Sequence, residues 1–209
     1  MTELRIAPAP GSPAGREAIA AALEPSGPTR FVGWDLSNAD LSALDLQGCE
    51  FVKCRAGRAN LRSADLTEAY FAGCDLNNTQ WRGARLSAAR FQDCKLTGAQ
   101  FREVMSLGLN FTRCLLADAF LQGISFRRCE LEAIDFAGAD LANCDFREAV
   151  LSACNLRETN LTGARFEDAD LRGADLGALR IADATRFKGA AISKQQAANL
   201  LSSLGLKVV

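Results

Sequence analysis

The chain has 209 residues, 48% of them apolar, with 8 Cys, no His and a formal net charge of −1. That length and apolar content suit one or two folded domains with a buried core, not a disordered chain. Without His there is no Ser-His-Asp or Cys-His catalysis, no His-ligated metal and no imidazole pH switch, and near-neutral charge argues against a generic nucleic-acid or acidic-membrane binder.

The N-terminal MTELRIAPAPGSPAG has no basic region followed by an apolar stretch, and no apolar run reaches the roughly 18 residues of a membrane span. The expectation is a cytoplasmic protein, with no membrane partner, whose Cys stay reduced. All five Pro (Pro8, Pro10, Pro13, Pro25, Pro28) fall within residues 1–28. Residues 1–28 therefore read as a flexible leader, with Pro8 to Pro13 as its arm. Arg16 to Glu24 is predicted to form a short helix, favoured by Ala, Leu and Glu and stopped by Pro25.

From Phe31 to Ile181 every fifth residue is large and apolar except Ala56 and Ser106, with no insertion. A period of five is neither helical nor that of a flat strand. The residue two before each central one is small or apolar (Ala39, Cys49, Ala64, Cys74, Ala139). The residue one before is often Asp or Asn, and the residue two after is often Gly. Each unit thus turns one large and one small side chain inward and three outward. Like residues also recur at 20: Phe31, Phe51, Phe71, Phe91 and Phe111, then Phe126, Phe146 and Phe166. Stacked parallel coils of 20 residues follow, each bonded to its neighbours. Residues 29–186 make about eight coils and, at about 4.8 Å per coil, a rod about 37 Å long.

Units such as ADLTE (64–68), ARFED (164–168) and ADLRG (169–173) resemble the pentapeptide-repeat family, whose units read roughly A(D/N)LXX. The resemblance implies an all-β fold: a right-handed quadrilateral β-helix with one unit per side.

All eight Cys (Cys49, Cys54, Cys74, Cys94, Cys114, Cys129, Cys144, Cys154) occupy the small inward position. A metal cluster, a redox pair or a catalytic thiol is the sharp alternative. With no CxxC and a dry interior, the thiols read as small core hydrophobes. No cofactor is expected. There is no GxGxxG, P-loop or GxSxG, and carboxylates spread along a rod do not converge on a pocket, so an enzyme is not expected.

Residues 187–209 leave the repeat. Ser193 and Gln196 form a capping box, Ala197, Leu200, Leu201 and Leu204 an apolar helical stripe, and Gly205 a stop. Leu206, Val208 and Val209 continue as an apolar tail. The helix either covers the last coil or, with the tail, joins two rods end to end as a homodimer. A long unbroken rod ending this way resembles the Qnr and MfpA group of gyrase-interacting proteins. That resemblance implies a head-on homodimer that imitates B-form DNA and binds gyrase or topoisomerase IV. This chain has none of the projecting loops that some members carry.

Charge is the discriminator, because a DNA mimic needs an acidic surface. Residues 31–50 carry −4, residues 51–130 carry +5, residues 131–185 carry −6 and residues 186–209 carry +4. The candidate partner surface is Asp135, Asp140, Asp145, Glu148, Glu158, Glu167, Asp168, Asp170 and Asp175. The plainer reading is that these are ordinary Asp positions of the repeat and solvated Glu. Arg62, Arg82 and Arg102, 20 apart, stack on one side as either a phosphate-binding stripe or a solvated face; direct nucleic-acid binding is not expected. Around Ser106 the pattern is disturbed, with apolar Met105, Leu107, Leu115 and Phe120 in outward slots. Either a bulge puts Leu107 into the core in place of Ser106, or an apolar band faces a partner. Three roles remain: a DNA-mimicking partner of a topoisomerase, a general protein scaffold, and a nucleic-acid binder.

Overall fold

Phe31, Phe51, Phe71, Phe91 and Phe111 stack in register through the interior, with ring centroids 4.7–5.1 Å apart. This column sets the architecture of the computed structural model, which describes residues 4–23, 27–177, 185–203 and 205–207. The chain is a right-handed, four-sided parallel β-solenoid of about eight coils. Burying a Phe side chain contributes about 1.5–3 kcal/mol, and nearly every unit buries one large apolar group.

The first face carries the strands: β1 (Arg5–Ala7), β2 (Thr29–Val32), β3 (Glu50–Val52), β4 (Tyr70–Ala72), β5 (Arg90–Gln92), β6 (Asn110–Thr112), β7 (Glu130–Glu132), β8 (Val150–Asn155) and β9 (Asp170–Asp175). They form one parallel sheet in chain order, paired at a 20-residue offset from β2 to β8, as in Phe31 with Phe51. The second, third and fourth faces, centred in the first coil on Leu36, Leu41 and Leu46, join their coils through single bridges. Examples are Asp35 with Arg55, Asp40 with Asn60 and Asp45 with Asp65.

Corners explain the preference for Gly two residues after each centre. From Gly33 to Gly163 and Asp168, that residue has a positive φ in every unit. L-residues enter this left-handed region at a cost of about 1–2 kcal/mol, which Gly avoids. Asn38, Asn78 and Asn143 are the next best fit, since short polar side chains tolerate it.

Seven of the Cys are buried and Cys129 is half-buried; all eight are free thiols. Cys54, Cys74, Cys94 and Cys114 donate to the carbonyls of Phe31, Phe51, Phe71 and Phe91, one coil back. Burial pushes the Cys144 thiol up to about 12 and Cys154 up to about 11. Contact with neighbouring thiols, together with burial, pushes Cys74 and Cys114 up. Such thiols stay neutral. Among the described residues no group of three Cys, Asp or Glu could hold a metal ion.

The structure corrects three expectations. The arm is not a free leader. β1 pairs with β2, the Ala14 amide donates to the Asp35 carbonyl at 2.7 Å, and the Trp34 indole donates to the Ala7 carbonyl at 3.1 Å. Ala7, Ala14 and Ile19 are buried, so α1 (Arg16–Leu23) plugs the first coil, whose apolar interior would otherwise face water. Secondly, of the two readings at Ser106 the bulge fails: Leu107 is not in the core but 85% exposed, because the five-residue phase holds through Ser106. Thirdly, coil geometry continues past residue 186. Phe187 stacks on Phe166 at 4.8 Å, and Asp170 bridges to Ala191, an offset of 21. Ile181, the last centre of the uninterrupted repeat, lies outside the described residues.

Candidate partner-binding surface

At the C-terminal end, α2 (Lys194–Ser203) is seated by Gln196. Its carbonyl accepts from the Ser193 amide at 2.6 Å, while its own amide donates to the Ser193 hydroxyl at 3.2 Å. This is the capping box read from the sequence. The Gln196 side-chain amide also donates to the carbonyls of Leu171 and Ala174, both at 2.7 Å. One side chain thus starts the helix and ties it to the last coil. Gly205, at φ +81, ends it, and the Leu206 amide returns to the Leu201 carbonyl at 3.0 Å. Ala197 and Leu200 are half-buried, whereas Ile192, Leu201 and Leu206 are exposed. Leu204 and Val208 of the expected dimer stripe lie outside the described residues.

The nine acidic residues do not form one open patch. Five are held by arginines. On the fourth face Arg147 binds Asp145 at 2.6 Å, Arg127 and Arg128 bind Glu148 at 2.6 and 2.7 Å, and Arg165 binds Glu167 at 3.2 Å. Elsewhere Arg172 binds Asp170 at 2.5 Å and Arg157 binds Asp175 at 3.4 Å. Arg147 holds Asp145 below the usual carboxylate range, and Arg128 and Arg127 do so for Glu148. Arg172 brings Asp170 down to about 2. A carboxylate already sharing its charge with a guanidinium projects little field toward a basic partner.

Asp135, Asp140, Glu158 and Asp168 have no ion pair among the described residues. Asp135 and Asp140 each accept from the amide two residues on, Ala137 and Ala142. Each also accepts from an Asn one coil along, Asn155 or Asn160, at 2.9 Å. These neutral donors fix the carboxylates without cancelling their charge. Asp135, Asp140 and Glu158 lie on the second and third faces of the sixth and seventh coils. Asp118, which the sequence reading omitted, lies on the second face one coil earlier and is also without an ion pair. The open acidic surface is therefore one side of the rod's C-terminal half. The signal was in the spacing: each neutralising Arg lies two residues from its acid within one unit, or about one coil away, as Arg127 does from Glu148.

The basic stripe is spoken for as well. Arg82 binds Glu103 at 3.0 Å, Arg62 donates to Gln80 at 3.4 Å, and Arg102 lies 4.9 Å over the Phe120 ring. Met105, Leu107 and Leu115 are exposed. Leu115 is on the second face and Met105 and Leu107 are on the opposite one, so they do not form a single band.

A family model described as "Pentapeptide repeat region" matches residues 29–101, and one described as "Pentapeptide repeats (8 copies)" matches 110–147, 129–168 and 139–177. The chain belongs to the pentapeptide-repeat family. Among solved structures it is similar to trypsin-treated QnrB1 (M102R), a plasmid-mediated fluoroquinolone resistance protein, at 27% identity and a TM-score of 0.73, covering 87% of this chain and 88% of that one. Full-length QnrB1 matches at 25% identity and a TM-score of 0.73, covering 85% and 88%. No curated protein sequence matches the chain. No helix among the described residues is long and apolar enough to cross a membrane.

Proposed function

We propose that this chain is a non-enzymatic, DNA-mimicking rod that binds DNA gyrase or topoisomerase IV and protects it from topoisomerase poisons. The observation that carries the reading is the likeness to QnrB1 over most of both chains, at 27% identity. It acts in the cytoplasm as a homodimer joined through α2 and the tail after it, for which exposed Leu201 and Leu206 are the available apolar surface. A basic DNA-binding surface on the enzyme meets the unpaired carboxylates Asp135, Asp140 and Glu158, with Asp118 beside them. Asp145, Glu148, Glu167, Asp170 and Asp175 add little, because arginines already hold them.

Gyrase supercoiling with and without a fluoroquinolone tests this. The protein is expected to protect or inhibit, and the triple variant Asp135→Asn, Asp140→Asn, Glu158→Gln to lose most of the effect while Glu148→Gln keeps it. No effect of the parent protein on gyrase or topoisomerase IV would overturn the reading. The second reading, a scaffold for some other protein, is favoured by the ion pairing of five of the nine candidate acids. It predicts that neither enzyme responds.

A further inference from the structure

Along most of the rod, the amides of the central residue and of the residue two after it donate to the carbonyl 19 residues on. Leu86 to Met105 and Ala88 to Leu107 are examples, at 2.8 and 2.7 Å. The amide just before each centre donates 21 residues back, as Met105 does to Ala84 at 3.0 Å. Between the fourth and fifth coils this ladder stops from the trailing end of the third face across the fourth. The amides of Glu103, Ser106 and Gly108 make no bond to Gln122, Ser125 and Arg127, and Ser125 makes none back to Val104. Following the chain around the corner, the gap runs on to the first face between the fifth and sixth coils, where Glu130 makes none to Leu109 and β6 meets β7 only at Thr112 and Glu132.

The first and second faces of the same two coils stay joined, and the third stays joined at its centre, where Phe101 donates to Phe120 at 2.8 Å. Leu96 donates to Leu115 at 2.7 Å, Gly98 to Ala117 at 2.9 Å and Phe120 to Ala99 at 2.9 Å, and β5 pairs with β6 over three residues.

Packing accounts for the break. The aromatic column runs down the first face to Phe111 and then passes to the fourth face at Phe126, Phe146 and Phe166. At the transfer, Phe111 and Phe126 meet tilted by 56° at 6.3 Å instead of stacked. Ser106 stands on the fourth face directly before Phe126, where Leu46, Leu66 and Leu86 precede it. Ser106, half-buried, fills less of that position than Leu and leaves Phe126 under-packed on that side. Three further observations fit an opened seam. Met105 and Leu107 are 57% and 85% exposed, Asn110 Oδ1 is buried without a partner, and Cys129 is the Cys that is only half-buried.

We propose that the rod hinges at this seam: the fourth-face gap between coils four and five widens and narrows while the three bonded faces act as the pivot. The inference is independent of any partner.

Nitroxide pairs on the full-length protein, in a Cys129→Ala background, test it. One pair, at Gln47 and Lys188, spans the seam on the open face; the other, at Ser37 and Arg157, spans it on the bonded face opposite. Seven spacings of about 4.8 Å put the first pair about 34 Å apart before label length is added. The open-face distance distribution is expected to be broader than the bonded-face one. Ser106→Leu is expected to narrow it and to slow amide exchange at Gly108 and Ser125 by about tenfold or more. Equal widths for the two pairs would overturn the hinge, as would an open-face width that a folded Ser106→Leu protein leaves unchanged. If that variant does not fold, the comparison of the two pairs in the parent background decides.

Discussion

The indole nitrogen of Trp81 donates to the hydroxyl of Thr79 at 2.7 Å, wholly inside the rod. The Thr79 hydroxyl in turn donates to the Leu76 carbonyl at 2.6 Å. This lets a Trp stand in a column of Leu and Phe with its N–H satisfied, stacked on Phe101 at 5.3 Å. Thr79→Val keeps the shape and removes the acceptor. It is expected to cost about 1–3 kcal/mol, the penalty of a buried unpaired donor. Thr79→Ser is expected to cost less; denaturant unfolding of the two variants checks the difference.

Corner contacts give a second prediction. A Cβ at Gly163 would lie 2.2 Å from Asn143 Oδ1, whereas one at Gly123 meets nothing within 4 Å. Both glycines have a positive φ. Gly123→Ala is therefore expected to cost about 1 kcal/mol of backbone strain, and Gly163→Ala clearly more. Asn143→Ala should recover part of the Gly163→Ala loss, a coupling that a double-mutant cycle in thermal unfolding measures.

Stability should fall at both extremes of pH. Asp35, Asp65, Asp93, Asp145, Glu148 and Asp170 are held below their ordinary values. Their contribution is present above about pH 4 and is lost as pH falls through the folded values. At the other end, Cys144 and Cys154 are raised to about 12 and about 11. The stability tied to their neutral form is complete below about pH 8.5 and is lost as pH rises through those values. With no His, the midpoint of thermal unfolding is expected to be flat from about pH 5 to 8.

Gln196 holds α2 from three sides. Gln196→Ala removes half of the capping box and both ties to the last coil, with the cap alone contributing about 1 kcal/mol. Amide exchange in α2 is expected to accelerate far more than exchange in β2 to β8. If α2 forms the dimer contact, native mass should shift toward monomer at the same time.

Most of the rod was legible because a five-residue phase with no insertion leaves one parallel packing. Phe31 to Phe111 predicted their own column, and Ser193 with Gln196 predicted the cap. The surface was less legible, since charge counted along the chain does not record neighbours across coils. Glu148 counts as an acid in the sequence and sits between two guanidiniums in the fold. The arm misled for a related reason: its Pro content suggested freedom, but Ala7 and Ile19 had an open coil end to cover. Leu107 misled because an apolar residue beside a polar centre suggests a swap, whereas the stacked phase of the neighbouring units outweighs one exposed Leu.

α1 and β1 also give the rod a direction of growth. With Ile19 buried over the first coil and Pro8 and Pro10 directly after the outermost strand, that end offers a poor template for another copy. Contact between the opposite ends would be isologous, each using the same surface, and would leave two plugged ends outward. Such an assembly terminates at a pair and cannot elongate into a filament, even though its parts are a stack of parallel strands.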